Sequence, residues 1–231
     1  MTTPAYDPLA ELYDRAFARI EVRAVEWRWL LRRLARLDAR PRLLEIGCGT
    51  GALLRALAPR VAEACGVDIS PAMIERAKAR ASGQSNLDFR TLSGVDLPFA
   101  AQRFDVVVSF LSFRYLDWTR IWPEIRRVLA PGGRFWLVDL VRQQSSLRDT
   151  PRLLRTAARH ALGPLRHPRF TRDLRTLTGH ADWKAMLERH PMRAQDEYAH
   201  FFAARLPEAR LVPLDVLPSR RIVALDSGPL W

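Results

Sequence analysis

Lysine is nearly missing from this chain. Only Lys78 and Lys184 occur, so 35 of the 37 basic residues are arginine. A skew this strong reflects GC-rich coding composition more than selection for phosphate contacts, which weakens any argument from the net charge of +12 to nucleic acid. Cysteine is equally scarce. Cys48 and Cys65 make no metal-ligand spacing and are too few to staple 231 residues, which points to a reducing cytoplasm. No stretch approaches the ~18 uninterrupted apolar residues of a spanning helix. Met1–Asp7 has no basic region followed by an apolar one, so a cleaved signal peptide is not expected. There is no internal repeat and no low-complexity tract. What remains is a chain 48% hydrophobic, enough for the core of one large α/β domain.

The charge is unevenly placed. Between Arg142 and Arg193 stand 12 basic residues against four acidic ones, which is +8 of the total +12. Concentration in one segment suits a surface facing an acidic partner, and it equally suits a solvated helical face.

Residues 15 to 37 read as one amphipathic helix: Phe17, Ile20, Ala24, Trp27, Leu31 and Leu34 recur at steps of three and four. Such a helix packs on its own sheet, or lies on a membrane. From Arg42 onward strands and helices alternate. Leu43–Ile46 is a short apolar strand, a second ends at Val67-Asp68-Ile69, and Ser70-Pro71 opens a helix as N-cap and first turn. Strands follow over 86–91 and 104–110, then a helix from about Asp117 to Leu129. Pro131-Gly132-Gly133 is expected to reverse the chain before a fifth strand, Arg134 to Leu140. This alternation predicts a parallel sheet covered on both faces. Some 68 residues then pass before the next credible strand, 209–216, too many for an ordinary crossover. Residues 141 to 193 are read as an inserted helical cap, broken at Gly163-Pro164 and at His167-Pro168. A helix over 196–205 and a last strand over 221–225 complete the chain.

Glu45-Ile46-Gly47-Cys48-Gly49-Thr50-Gly51 lies between the first strand and the next helix. Glycines let backbone approach a ligand closely, and the helix start offers unpaired N–H groups. The spacing is G-x-G-x-G, not the G-x-G-x-x-G of dinucleotide sites. Glu45 repels a pyrophosphate and attracts an ammonium or a sulfonium, the two cationic groups of S-adenosylmethionine. Asp68 ends the second strand, 17 residues beyond Gly51, where a carboxylate accepts ribose hydroxyls. The other reading of Asp68 is a charge at a helix N-terminus.

Taken in order, Leu43–Gly51, Gly66–Ser70, Leu97-Pro98-Phe99, Phe104–Ser109 and Leu129–Gly133 resemble the class I S-adenosylmethionine-dependent methyltransferases, in particular the small bacterial enzymes that include ubiquinone- and biotin-pathway methyltransferases. The resemblance covers about residues 5 to 140. It implies a Rossmann-like, seven-stranded, mostly parallel sheet with helices on both faces and a helical cap after strand five. The divisions are an N-terminal helical lid (1–40), a cofactor-binding core (41–140), the cap (141–193) and a closing helix and strands (194–231). It implies that Glu45, Gly47, Cys48, Gly49 and Gly51 cradle the methionine part of S-adenosylmethionine, that Asp68 holds the ribose and that Ile69 packs on adenine. Where the family usually has an adenine-binding aspartate this chain has Ser93, beside Gly94. Ser109 and Phe110 complete the floor, and Tyr13 closes over the cofactor from the N-terminal stretch Tyr6–Asp14.

Methyl transfer is an in-line displacement on an already electrophilic sulfonium. Holding the reactants near attack distance contributes up to ~7–11 kcal/mol, so no catalytic base is obligatory. The histidine pair of many relatives is replaced here by Phe113-Arg114-Tyr115. Tyr115 is the catalytic candidate, with Asp139 also at a strand carboxyl end. His160, His167, His180, His190 and His200 fall in or beside the cap and read as surface or structural residues. No Asn-Pro-Pro-Tyr-like motif follows the fourth strand, against adenine, cytosine or glutamine amino groups as acceptors. The expected acceptor is an acidic small molecule or a carrier-bound acyl or aromatic metabolite, received by the arginines of 141–193. A non-methylating reaction on the same fold, such as a cyclisation, and methylation of an acidic macromolecule stay open. Nucleic acid is disfavoured, since Phe170 and Trp183 are the main aromatics there.

Overall fold

Short apolar segments, buried along nearly their whole length at the centre of the sheet, set the architecture. A computed structural model describes residues 6–230; residues 1–5 of the expected lid lie outside the described residues. The strands are β1 (Arg42–Ile46), β2 (Glu63–Asp68), β3 (Leu87–Thr91), β4 (Phe104–Phe110), β5 (Leu129–Arg142), β6 (Val212–Val216) and β7 (Arg220–Pro229). They form one sheet in the order β3-β2-β1-β4-β5-β7-β6, with β7 antiparallel to both its neighbours and the other pairs parallel. Continuous burial, as at Leu43–Ile46, is what a parallel strand covered on both faces requires.

Alternate side chains feed two cores. On one face Leu44, Ile46, Val67 and Val107 pack under Trp118, Ile121, Trp122 and Ile125 of α5 (Trp118–Val128) and under Tyr198 and Phe202 of a later helix, Gln195–Ala203. On the other, Leu43, Ala64, Val106 and Val108 pack against α2 (Ala24–Leu34), α3 (Ala52–Leu57) and α4 (Pro71–Arg80). α1 (Ala10–Phe17) precedes them. After β5 come α6 (Thr150–Arg166), α7 (Pro168–Gly179), α8 (Ala181–Arg189) and then α9 (Gln195–Ala203). α1 packs on α7 through a small separate core of Leu9, Ala16 and Leu177.

Three expected features are corrected. The helix read over 15–37 is two helices, because Arg19 is extended (φ −117°, ψ 123°) and a 3-10 turn follows over Ile20–Arg23. The Arg55 guanidinium takes the Ala18 carbonyl at 2.8 Å, occupying an acceptor that a continuous helix would use itself. Pro131-Gly132-Gly133 does not reverse the chain. It runs inside β5 through a register shift, with Gly132 at φ +74°, and the Gly132 N–H donates to the Leu230 carbonyl. Nor does Gly163-Pro164 break α6. Pro164 withdraws a donor from the His160 carbonyl on a solvent-exposed turn, where the loss is tolerated, and the helix ends only at His167-Pro168.

Candidate cofactor and acceptor site

The order of the strands reverses between β1 and β4, and a crevice opens beyond their carboxyl ends. Ile46 is in register with both Val67 and Ser109, so the residues that follow β1, β2 and β4 meet at one place. The loop after β1 carries Gly47, Gly49 and Gly51 at φ +76°, +52° and +73°. Their reasons differ. A Cβ on Gly47 would sit 2.3 Å from the Ser112 Cβ, and one on Gly51 2.7 Å from the Phe89 ring, whereas one on Gly49 meets only the Tyr13 ring at 3.5 Å. Gly47 and Gly51 therefore serve packing. Gly49 keeps room beneath Tyr13.

Asp68 is fixed by the same loop. Its carboxylate accepts the Gly49 N–H at 2.9 Å and the Ser70 N–H at 3.0 Å. Burial raises its pKa despite those bonds. Glu45, 3% exposed, stands deeper, and its Oε2 has no hydrogen-bond partner. Burial, and then the charge of Asp68, push the Glu45 pKa well above the carboxylate range, with Arg23 and Arg55 acting against them. No salt bridge reaches Glu45 among the described residues. A buried carboxylate with an orphaned oxygen is costly unless a cation or donor meets it.

Two adjoining cavities share Tyr13, Gly47 and Phe110. One is lined by Asp68, Ile69, Gly94 and Tyr115, the other by Arg23, Glu45, Cys48 and Thr50. Over the first, the Tyr6 hydroxyl donates to Tyr115 at 2.9 Å, and the Arg114 guanidinium lies 4.5 Å over the Tyr115 ring and donates to the same hydroxyl. α8 closes this side: Trp183 lies 6.3 Å from Tyr6, His190 lies 5.6 Å from Tyr115, and the Met186 sulfur takes the Tyr115 hydroxyl at 3.8 Å.

Of the residues expected at the site, Tyr13, Glu45, Gly47, Cys48, Gly49, Asp68, Ile69, Gly94, Phe110 and Tyr115 line these cavities. Three do not. Ser93 is exposed, and Gly94 with Val95 supplies the wall instead. Gly51 is turned onto Phe89. Ser109 is fully buried and bonds Ser112, whose hydroxyl donates to the Ile46 carbonyl at 2.6 Å. Asp139 is likewise a structural post: it accepts the Arg114 N–H at 2.9 Å and the Tyr198 hydroxyl at 2.7 Å. Burial keeps the Cys48 thiol protonated. Among the described residues no cluster of three or more His, Cys, Asp or Glu side chains suits a metal. The sequence pattern does not mark Arg23 and does not assign Tyr6 a role of its own. Arg23 belongs to no motif and arrives through the 3-10 turn after α1, while Tyr6 opens the lid-like stretch in which only Tyr13 is expected over the cofactor. None of the basic residues of 141–193 lines either cavity.

A strand-loop-helix crevice with an acidic residue before the glycines, and an acid at the end of the next strand, defines a class of nucleoside-binding α/β domain. Residues 44–137 match the model of the methyltransferase domain family. An uncharacterized methyltransferase of Bacillus subtilis, YcgJ, is 30% identical over 170 residues, covering 72% of this chain and 63% of that protein. A demethylmenaquinone methyltransferase of Tropheryma whipplei is 31% identical over 131 residues, covering 56% and 54%. In structure, the geranyl diphosphate C-methyltransferase of Streptomyces coelicolor superposes with a TM-score of 0.60 at 15% identity, over 90% of this chain and 78% of that one. The chain spans 54–63% of the length of those two curated relatives. Over these residues the chain is similar to S-adenosylmethionine-dependent methyltransferases and shares their fold.

Proposed function

We propose that this protein transfers a methyl group from S-adenosylmethionine to a small-molecule acceptor, free or carrier-bound. The observation that carries this reading is the orphaned, buried Glu45 carboxylate in one cavity beside the glycine loop, with Asp68 lining the adjoining one. Relatives named for demethylmenaquinone and for malonyl-[acyl-carrier protein] support the acceptor class.

Bound there, the cofactor supplies an electrophilic methyl on a sulfonium. Glu45 meets the ammonium, and Arg23, lining the same recess, meets the carboxylate of the amino-acid part. Each Asp68 oxygen has one backbone N–H and keeps a lone pair for a ribose hydroxyl. Ile69 and the Gly94–Val95 backbone border the base, and Tyr13 covers the loop. On the acceptor side, Tyr115 receives hydrogen bonds from Tyr6 and Arg114, which uses both its lone pairs. Its own O–H is held only by the Met186 sulfur, a weak acceptor that an oxygen or nitrogen of the acceptor would displace. Tyr115 thus orients the acceptor by hydrogen bonding, and the burial that raises the Tyr6 pKa well above the ordinary value keeps that neighbour a neutral donor. Positioning then supplies the main rate effect.

Calorimetry tests the first half: micromolar binding of S-adenosylmethionine, about −8 kcal/mol, with no heat from NAD. The opposite pattern overturns it. Methyl-labelled cofactor with a cell extract, and mass identification of the product, tests the second.

A further inference from the structure

α6 is amphipathic in reverse. Its inward side is polar: the Thr156 hydroxyl bonds Asp215, and the Arg159 guanidinium lies 3.0 Å from the same buried carboxylate on edge strand β6. Its outward side is apolar. Leu154, Ala158, Ala161 and Leu165 recur at steps of four, three and four, one stripe on a helix of 3.6 residues per turn. Leu154 is 67% exposed and Leu165 81%; Leu147, in the turn before the helix, is 93% exposed. A contiguous apolar stripe facing water on a folded domain marks an interaction surface. Basic groups border one side of it, through Arg155 and Arg166. α6 contains Arg152, Arg155, Arg159 and Arg166 and no acid. Arg148, Arg155, Arg166 and Arg169 make no ion pair among the described residues.

We propose that the outward face of α6 docks on an anionic lipid bilayer surface, with Leu147, Leu154 and Leu165 entering the acyl boundary and the flanking arginines against headgroup phosphates. Buried apolar area and attraction to anionic lipid are the two contributions by which a surface helix binds a membrane. Charge complementarity selects this occupant over a second copy of the chain. Two α6 faces brought together would set arginine against arginine with no acid on either helix. The face lies on β6, at one edge of the sheet, and none of its residues lines the cofactor cavities. Membrane docking goes beyond methyl transfer and does not depend on it.

The test is co-sedimentation of the full chain with vesicles of phosphatidylcholine alone and of phosphatidylcholine mixed with phosphatidylglycerol. Binding to the mixed vesicles, weakened about tenfold or more by high salt or by omission of the anionic lipid, is expected. The double variant Leu154→Glu with Leu165→Glu should stay in the supernatant while still binding S-adenosylmethionine like the parent. Because both leucines are exposed, folding should survive; Arg155→Glu with Arg166→Glu gives a second route to the same loss without touching apolar contacts. The proposal is overturned if the parent ignores anionic vesicles or if both variants sediment with them like the parent. It is equally overturned if the parent is a dimer in solution that the leucine variant makes monomeric.

Discussion

α5 turns Trp118, Ile121, Trp122, Ile125 and Val128 into the core, whereas α6 turns Leu154, Leu162 and Leu165 outward and anchors itself through Thr156 and Arg159. Both helices have well-separated polar and apolar sides, so periodicity alone describes them equally. What separates them is the partner. α5 closes a face of the sheet that would otherwise be wet, whereas α6 sits at an edge strand where the charged Asp215 is the fixture. A helix can thus be tied to a domain by an ionic anchor and keep its apolar stripe for something else.

The contrast between a packed region and an open one breaks most sharply at glycine. Gly47→Ala should be more damaging to the fold than any change at the exposed edge: its Cβ falls 2.3 Å from that of Ser112, in backbone at φ +76°. Ser112 cannot give way cheaply, since its hydroxyl holds the Ile46 carbonyl and Ser109. Overpacking and left-handed strain together cost on the order of 3 kcal/mol or more, visible as a large drop in melting temperature. Asp68→Ala should cost ~2–3 kcal/mol of cofactor affinity through lost charge-assisted bonds. Calorimetry that finds unchanged affinity returns Asp68 to a helix-capping role.

Glu45→Gln separates function from stability. Cofactor affinity should fall by ~1.5–3 kcal/mol, as expected for a hydrogen bond to a charged group, while the ligand-free protein becomes more stable. The sign follows from burial. With its pKa raised in the folded chain, Glu45 binds a proton more tightly there than when unfolded, so ligand-free stability falls as pH rises through the raised value. Cofactor affinity should run the other way, rising with pH over the same window as the carboxylate ionises. Melting curves with and without S-adenosylmethionine, taken at rising pH, should therefore diverge in the parent and much less in the variant. Equal divergence would show that Glu45 does not meet the cation.

What is legible in the sequence follows from how locally each feature is determined. β1, its glycine loop and Asp68 are adjacent along two short strands, and their residue types state both conformation and chemistry. Ser93 misleads because a position counted along the loop between β3 and β4 does not say which residues turn inward; Gly94 and Val95 do. Arg23 is hidden because α1 and the turn after it reach the site by packing on α7 and by ion pairs to α4 such as Asp14 with Arg80, and the break at Arg19 interrupts an unbroken apolar rhythm. The arginines of 141–193 suggest a surface facing the acceptor only because charge density carries no direction. In the fold, Arg159 is spent on Asp215 and none of the others reaches the cavities.

The smallest expected effect has the opposite sign to the largest. Gly179 ends α7 at an ordinary negative φ, exposed, with no atom within 4 Å of where a Cβ would stand. Gly179→Ala therefore adds no clash and no strain. It removes conformational freedom from the unfolded chain, which stabilises by ~0.4–1 kcal/mol when the native backbone already suits alanine. The melting temperature should rise slightly and cofactor affinity should not move. The same substitution, glycine to alanine, would then destabilise at Gly47 and stabilise at Gly179, which isolates the surroundings as the cause. A loss at Gly179 comparable to that at Gly47 would mean that the end of α7 is pressed against something in solution, and the contrast between the two regions would fail at that point.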